Sequence, residues 1–192
     1  PHVLTLVERA TLALLHEIRA KLEDDNEAAE HHVKMAEVLN NGYTAEYENV
    51  FYALERELSR EQCEFVWDVL DLFRTIRTSL TKYTEEQRSN FSKYEVEFGG
   101  FDLNSSDEAP LLDYARYLNA NHRWTDLEDR LNDENGNSHH PTIQRYRAMI
   151  ARWRQTLNDK RRGRTYLAPD DYLLSPDELE TILDAGRLGK HN

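Results

Sequence analysis

The stretch from Ser59 to Leu80, SREQCEFVWDVLDLFRTIRTSL, is the most apolar long run in an otherwise polar chain, and it constrains the fold more than any other feature. Ser59 and Gln62 form a capping box that satisfies free N–H groups at a helix start. Beyond the box, Cys63, Val66, Leu70, Phe73, Ile76 and Leu80 recur at helical spacing. Phe65, Trp67, Val69 and Leu72 widen this stripe until little before Arg74 is plainly polar. A helix apolar on most sides is buried on most sides. The segment therefore predicts the innermost helix of an all-α fold, or one half of an oligomer interface, with the remaining helices as its partners.

Those partners follow in order. Val7, Thr11, Leu14, Ile18 and Leu22, with Leu15 beside them, keep one face of a first amphipathic helix. A second carries Val33, Ala36 and Leu39 and stops at Asn40-Asn41-Gly42, where glycine readily takes the left-handed C-terminal conformation. A third starts at Thr44 with the stripe Tyr47, Val50, Phe51, Leu54 and Leu58, separated only by Ser59 from the central helix, which predicts a tight helix pair. Tyr94, Val96 and Phe98 alternate with Glu95 and Glu97, the period of an extended segment, before Gly99-Gly100 breaks it and lets Phe98 and Phe101 point into a core. Ser105 and Glu108 offer a capping box to a helix bearing Leu111, Ala115, Leu118 and His122. After the loop-like Asn132 to Pro141, a helix is patterned by Ile143, Tyr146, Ile150, Trp153 and Leu157. The last helix has Ser175 as N-cap, Pro176 at its first position, Glu178 closing the box, and Gly186 as its expected stop. Residues 1–186 thus read as a single compact multi-helix domain with one short extended segment, and 187–192 as a loose tail.

The chain has 192 residues, and a domain of that size buries about 70% of its unfolded surface, so it needs no metal or disulfide to hold it together. With 36 acidic against 24 basic residues the net charge is -12, and the molecule as a whole repels nucleic acid and anionic membranes. The lone Cys63 excludes an internal disulfide, suits a reducing cytoplasm, and lies on the central stripe, where a buried structural thiol is expected. Glu8, Arg9, Glu17 and Arg19 interrupt the apolar residues near the start, so neither an export signal nor a membrane span is read there. The absence of Met before Pro1 fits both Met removal and a fragment of a longer protein.

An ordered set of segments carries a family resemblance. FGGFD (Phe98 to Asp102), DYARYL (Asp113 to Leu118), NSHHP (Asn137 to Pro141), YRAMIARW (Tyr146 to Trp153) and LSPDEL (Leu174 to Leu179) resemble the bacterial YfbU family. So do LVERATLALLHEI (Leu6 to Ile18), NNGYTAEY (Asn40 to Tyr47) and ELSREQCEFVWDVLDLF (Glu57 to Phe73). The resemblance spans Leu4 to Gly186 and implies a compact helical domain that forms homo-oligomers, with no established activity and no catalytic residues to carry over. It also implies, for some relatives, a short upstream DNA-binding segment of ribbon–helix–helix type, absent here. Leu103 to Pro110 reads as longer than in compact members.

Chemistry-bearing patterns are sparse. Of eight histidines, His31-His32 and His139-His140 are adjacent pairs rather than ligands one helical turn apart, and neither HExxH nor Glu-x-x-His occurs, so no metal and no cofactor is expected. Ser138 beside His139 is adjacency, not a triad. Asp68 and Asp71 suit general acid and base work only if buried; the exposed strip of an apolar helix is the plainer reading. The least ordinary feature is a basic run, Arg145, Arg147, Arg152, Arg154, Lys160, Arg161, Arg162 and Arg164, opposed within that span only by Asp159. By helical angle Arg145 and Arg152 fall opposite the apolar seam. Arg145, Arg152, Lys160, Arg161, Arg162 and Arg164 are therefore the candidate contacts to an anion or nucleic acid, set against pairing with the protein's own carboxylates. The sequence favours a non-enzymatic, homo-oligomeric regulatory or interaction domain, such as the oligomerising part of a transcriptional or stress and cell-death regulator. A nucleic-acid-binding domain using the basic run and a hydrolase-like enzyme are the alternatives.

Overall fold

The computed structural model describes residues 3–132 and 136–189, and among them the chain is all-α: helices and short 3-10 turns, with no strand. The helices are α1 (Leu6–Leu22), α2 (Asn26–Asn41), α3 (Tyr47–Val50), α4 (Arg60–Leu80), α5 (Glu85–Ser89), α6 (Lys93–Val96), α7 (Ala109–Ala120), α8 (Ile143–Arg161) and α9 (Pro176–Leu188). By its internal contacts the chain divides into two compact units, Pro1–Glu57 and Leu58–Asn192.

The first unit is an antiparallel hairpin of α1 and α2 with α3 against it. Thr5 and Glu8 form a reciprocal capping box at the start of α1, Asp25 caps α2, and Gly42 ends α2 at φ 70°. Its small core is Ala13, Leu39 and Tyr47, with Leu4, Leu12, Val38, Val50 and Phe51 packed around it. The third helix is much shorter than its stripe predicts. A 3-10 turn at Thr44–Glu46 leads into α3, which ends at Val50, and the chain from Leu54 to Leu58 is non-helical, so the tight pair expected around Ser59 does not form. Tyr52 and Leu54 are exposed, and without burial their propensity does not sustain a helix.

The second unit is built on α4, whose Val66, Val69, Leu70, Leu72, Phe73, Ile76 and Ser79 are buried. The capping box at Ser59 and Gln62 is present. Cys63, at the outer end of the stripe, is only half-buried, since α4 is enclosed from Val66 onward. Against α4 pack α7 through Leu111, Leu112, Ala115 and Leu118, and α8 through its own buried face. His122 leaves that face because α7 ends at Ala120 and His122 sits at φ 61°, exposed.

An aromatic cluster joins these layers: Phe73 to Tyr146 (ring centroids 5.4 Å apart), Phe73 to Phe98 (5.6 Å), Phe101 to Tyr146 (5.7 Å) and Phe98 to Phe101 (5.8 Å). Such spacings are those of favourable edge-on aromatic pairs. Phe98 and Phe101 do point inward, but the extended stretch is displaced from its predicted place. Residues Lys93–Val96 form a helical turn, and the chain becomes extended only at Glu97, because burying Val96 and Phe98 while exposing Tyr94 needs a turn rather than a pleat. The run ends in an isolated parallel bridge between Phe101 and Asn137. Gly100 there lies at φ 84°, and a Cβ would come within 1.7 Å of Gly136 O, so glycine is required.

Helix α9 is strapped to α4 at its entrance: Leu174 N donates to Ser79 Oγ (2.9 Å), and Tyr83 Oη donates to Leu174 O (2.9 Å). Burial pushes the Tyr83 hydroxyl pKa up to about 12. The expected stop at Gly186 is overrun. α9 continues to Leu188, and Gly186 is buried where α9 meets α8: a Cβ would lie 2.7 Å from Met149 Cγ. Glycine serves close approach there rather than termination, and Arg187 and Leu188, expected in a loose tail, belong to the helix.

Candidate functional site

Intramolecular pairing disperses the basic run of α8. Lys160 Nζ reaches Glu178 Oε2 (2.8 Å) and Leu173 O (2.7 Å), Arg162 pairs with Asp159 (2.9 Å), and Arg164 pairs with Asp171 (2.6 Å). Asp171 is held below the usual carboxylate range, first by the Ala168 N–H and then by Arg164. Arg154 pairs with Asp68 (2.6 Å), Arg147 lies over the Phe65 ring, and Arg152 donates to Gln155. Arg161 is exposed. The two carboxylates singled out on the central helix serve separate partners, since Asp71 accepts from Trp124 Nε1 at 2.7 Å while Asp68 holds Arg154.

Arg145 stands apart from the others. The helical angle predicts it opposite the apolar seam, yet it is only 9% exposed, because α9 crosses α8 on that side and Gly186 lets the backbones approach. Its Nη2 donates to the Glu95 carbonyl (3.1 Å), and among the described residues it has no carboxylate partner.

The loop NSHHP and the FGGFD run build the wall beside it. Phe101 N donates to Gly136 O (2.9 Å) and Ser138 N to Phe101 O (3.1 Å). Asn137 Oδ1 accepts from Leu103 N and His139 N, and Ser138 Oγ donates to His140 O (2.7 Å). The capping box predicted at Ser105 and Glu108 is not the one formed. Glu108 is 2% exposed and turns its carboxylate to the amino end of a different helix, α8, accepting from Thr142 N (2.8 Å) and Ile143 N (3.1 Å), and also from Asp102 N (2.9 Å). The negative charge meets the positive end of the helix dipole and satisfies its free N–H groups. Tyr146 Oη donates to Gly100 O (2.9 Å), and burial raises its pKa.

Between these elements lies a cavity of about 260 Å3, lined among others by Tyr94, Glu97, Asn137, His140, Arg145 and Leu183. Two further arginines reach its wall. Arg187 pairs with Glu95 (2.7 Å), Glu180 (2.8 Å) and Asp184 (2.6 Å), which raise its pKa, with Glu95 foremost. Arg130 donates to Phe98 O (3.0 Å) and lies 3.5 Å from Glu97. Arg130, Arg187 and Asn137 carry no signal in the sequence that would have placed them beside Arg145; the α8–α9 crossing brings Arg187 there, the hydrogen bond to Phe98 O brings Arg130, and the Phe101–Asn137 bridge brings Asn137.

With this geometry in place, residues 3–185 match the YfbU domain. The chain belongs to the YfbU family. Among YfbU-family relatives, a "UPF0304 protein" of Methanocaldococcus jannaschii is 25% identical over 185 residues, covering 95% of this chain and 100% of that one. A "UPF0304 protein" of Actinobacillus succinogenes is 23% identical over 186 residues, covering 95% and 99%. Two of the YfbU segments quoted from the sequence contribute to the cavity wall: FGGFD supplies Gly99 and NSHHP supplies Asn137 and His140, while Arg145 is the residue before a third, YRAMIARW.

A second surface lies in the first unit. Within this unit the apolar face of α1 is uncovered: Val7 is 75% exposed, Leu14 56%, Ile18 46% and Leu22 76%, with Leu15 also exposed. α1 meets α2 through the opposite face, where Arg9 Nε donates to Leu39 O and Ala13 is buried. On that side His16 Nδ1 and His32 Nδ1 are 3.0 Å apart, one ring donating to the other, and burial followed by the neighbouring imidazole lowers the pKa of His16. Among the described residues no group of three or more His, Cys, Asp or Glu is placed to hold a metal ion, and no helix is long and apolar enough to cross a membrane.

Proposed function

We propose that this YfbU-family protein is a cytoplasmic, non-enzymatic interaction module that assembles with a second copy of itself through α1, and so acts as the oligomerising part of a regulator. The observation that carries the reading is the uncovered stripe Val7, Leu14, Leu15, Ile18 and Leu22, a roughly 100°-wide apolar face of the kind that normally packs on a core.

The charges beside the stripe favour a second copy as the occupant. Glu8 and Arg19 border the same edge, near opposite ends of α1. In an antiparallel pair centred between Leu14 and Leu15, Val7 meets the partner's Leu22, and Glu8 comes beside the partner's Arg19. The two helix dipoles then oppose one another, and a two-fold axis makes every contact twice. Two α1–α2 hairpins joined in this way form a four-helix arrangement.

Light scattering tests the reading directly. Wild-type protein at about 50 µM, a working range for modest interfaces, is expected to have the mass of a dimer or a higher oligomer, while Leu14→Glu with Ile18→Glu is expected to be monomeric and still helical. A wild-type monomer at that concentration sinks the proposal.

A further inference from the structure

A guanidinium out of water costs free energy unless acceptors surround it, so buried arginines are normally paired with carboxylates. Arg145 departs from this: it is nine-tenths buried, with, among the described residues, a single backbone carbonyl as hydrogen-bond partner and the Tyr146 ring beside it. Its remaining N–H groups are not sealed in the core, because among the described residues none of them is a fully buried nitrogen lacking a partner. They open to the cavity that Arg145 lines.

The neighbours add donors. Asn137 is held with Oδ1 on two backbone N–H groups, which fixes the amide orientation and leaves Nδ2 without a protein acceptor among the described residues. His140 lines the cavity with its backbone carbonyl tied to Ser138 Oγ, which positions the residue and leaves the ring free to donate. Arg187 is shared by three carboxylates and Arg130 faces Glu97, so neither charge is available.

We infer that this cavity is a binding site for a small monocarboxylate, anchored by Arg145 and flanked by Asn137 and His140. The charge balance selects the class. One unspent cation matches one negative charge, and because Arg130 and Arg187 are already paired no second cation on the wall is left to hold another, which disfavours phosphate esters and nucleotides. The planar guanidinium fork matches a carboxylate through two parallel hydrogen bonds. Tyr94 and Leu183 offer apolar surface to the carbon skeleton, and the volume of about 260 Å3 falls below the roughly 300–1,000 Å3 of sites for drug-sized ligands. The site lies wholly within the second unit and goes beyond the assembly proposed for α1.

The test is a titration of the 15N-labelled full chain with acetate and, separately, inorganic phosphate, at constant ionic strength balanced with chloride. Saturable shifts are expected at the Arg145 Nε–H and at the amides of Gly99, Asn137 and His140, with acetate binding more tightly than phosphate. Arg145→Gln should weaken acetate binding at least about tenfold, the loss of one charge-assisted hydrogen bond, whereas Arg152→Gln, on the same helix but outside the cavity, should leave it unchanged. Arg145→Lys, which keeps the charge and loses the fork, serves if the glutamine variant does not fold, and it too should bind acetate less tightly. Absence of saturable shifts, shifts scattered over surface arginines, tighter binding of phosphate, or unchanged binding in both Arg145 variants would overturn the assignment. None of these readouts depends on the oligomeric state.

Discussion

The Glu108 carboxylate caps a helix that begins 35 residues downstream, accepting from Ile143 N at 3.1 Å while also holding Thr142 N and Asp102 N. One buried side chain thereby ties the FGGFD run, the start of α7 and the amino end of α8 into a single corner. Glu108→Ala leaves several buried N–H donors unsatisfied at about 1–3 kcal/mol each. We expect a loss of at least about 2 kcal/mol, and a larger loss for alanine than for glutamine, which keeps one acceptor oxygen. Urea denaturation followed by tryptophan fluorescence checks this, since Trp67, Trp124 and Trp153 all lie in the second unit.

Gly100→Ala meets two obstacles at once. Its φ of 84° is a left-handed conformation that costs an L-residue roughly 1–2 kcal/mol. The new Cβ would also overlap the Gly136 carbonyl, which is backbone and cannot swing aside. A stability loss above about 2 kcal/mol is expected, and a variant as stable as wild type would refute the close approach of these two loops.

Leucines on the two apolar helices should behave in opposite ways. Leu70→Ala or Phe73→Ala in α4 removes a fully enclosed side chain and should cost about 2–5 kcal/mol. Leu14→Ala in α1, measured where the protein is monomeric, should change stability by less than about 0.5 kcal/mol. Equal losses at Leu14 and Leu70 would show that α1 is covered within one chain.

The His16–His32 pair makes the first unit pH-sensitive. Both folded pKa values lie below the ordinary 6.5, through burial first and neighbouring positive charge second. Between the folded and unfolded values the unfolded chain binds more protons, so stability present above about pH 6.5 is lost as pH falls through the lowered folded pKa. Full protonation also sets one N–H against another across the 3.0 Å contact. Chemical shifts of Leu39 and Tyr47 followed from pH 7.5 to 5 should report earlier loss of this unit in wild type than in His16→Gln.

The all-α class, the central helix, the capping boxes at Ser59 and Ser175 and the inward turn of Phe98 and Phe101 were legible in the sequence, because each rests on local chemistry: a hydroxyl three residues before a glutamine or glutamate, or apolar residues one turn apart. Periodicity shows that a helix has an apolar face but not what covers it. The α1 stripe is thus legible as an apolar face that its own unit leaves uncovered, and the Tyr47 to Leu58 stripe yielded a helix only to Val50. The same limit applied to polar residues. Glu108 has the spacing of a cap for α7 and the geometry of a cap for α8, and Arg145 lies opposite the seam of its own helix yet is buried by another. Which helix crosses which, and where a glycine lets two backbones meet, depends on contacts between residues dozens of positions apart, and that tertiary packing alone decided that one arginine of the basic run lies in a cavity without a carboxylate of its own.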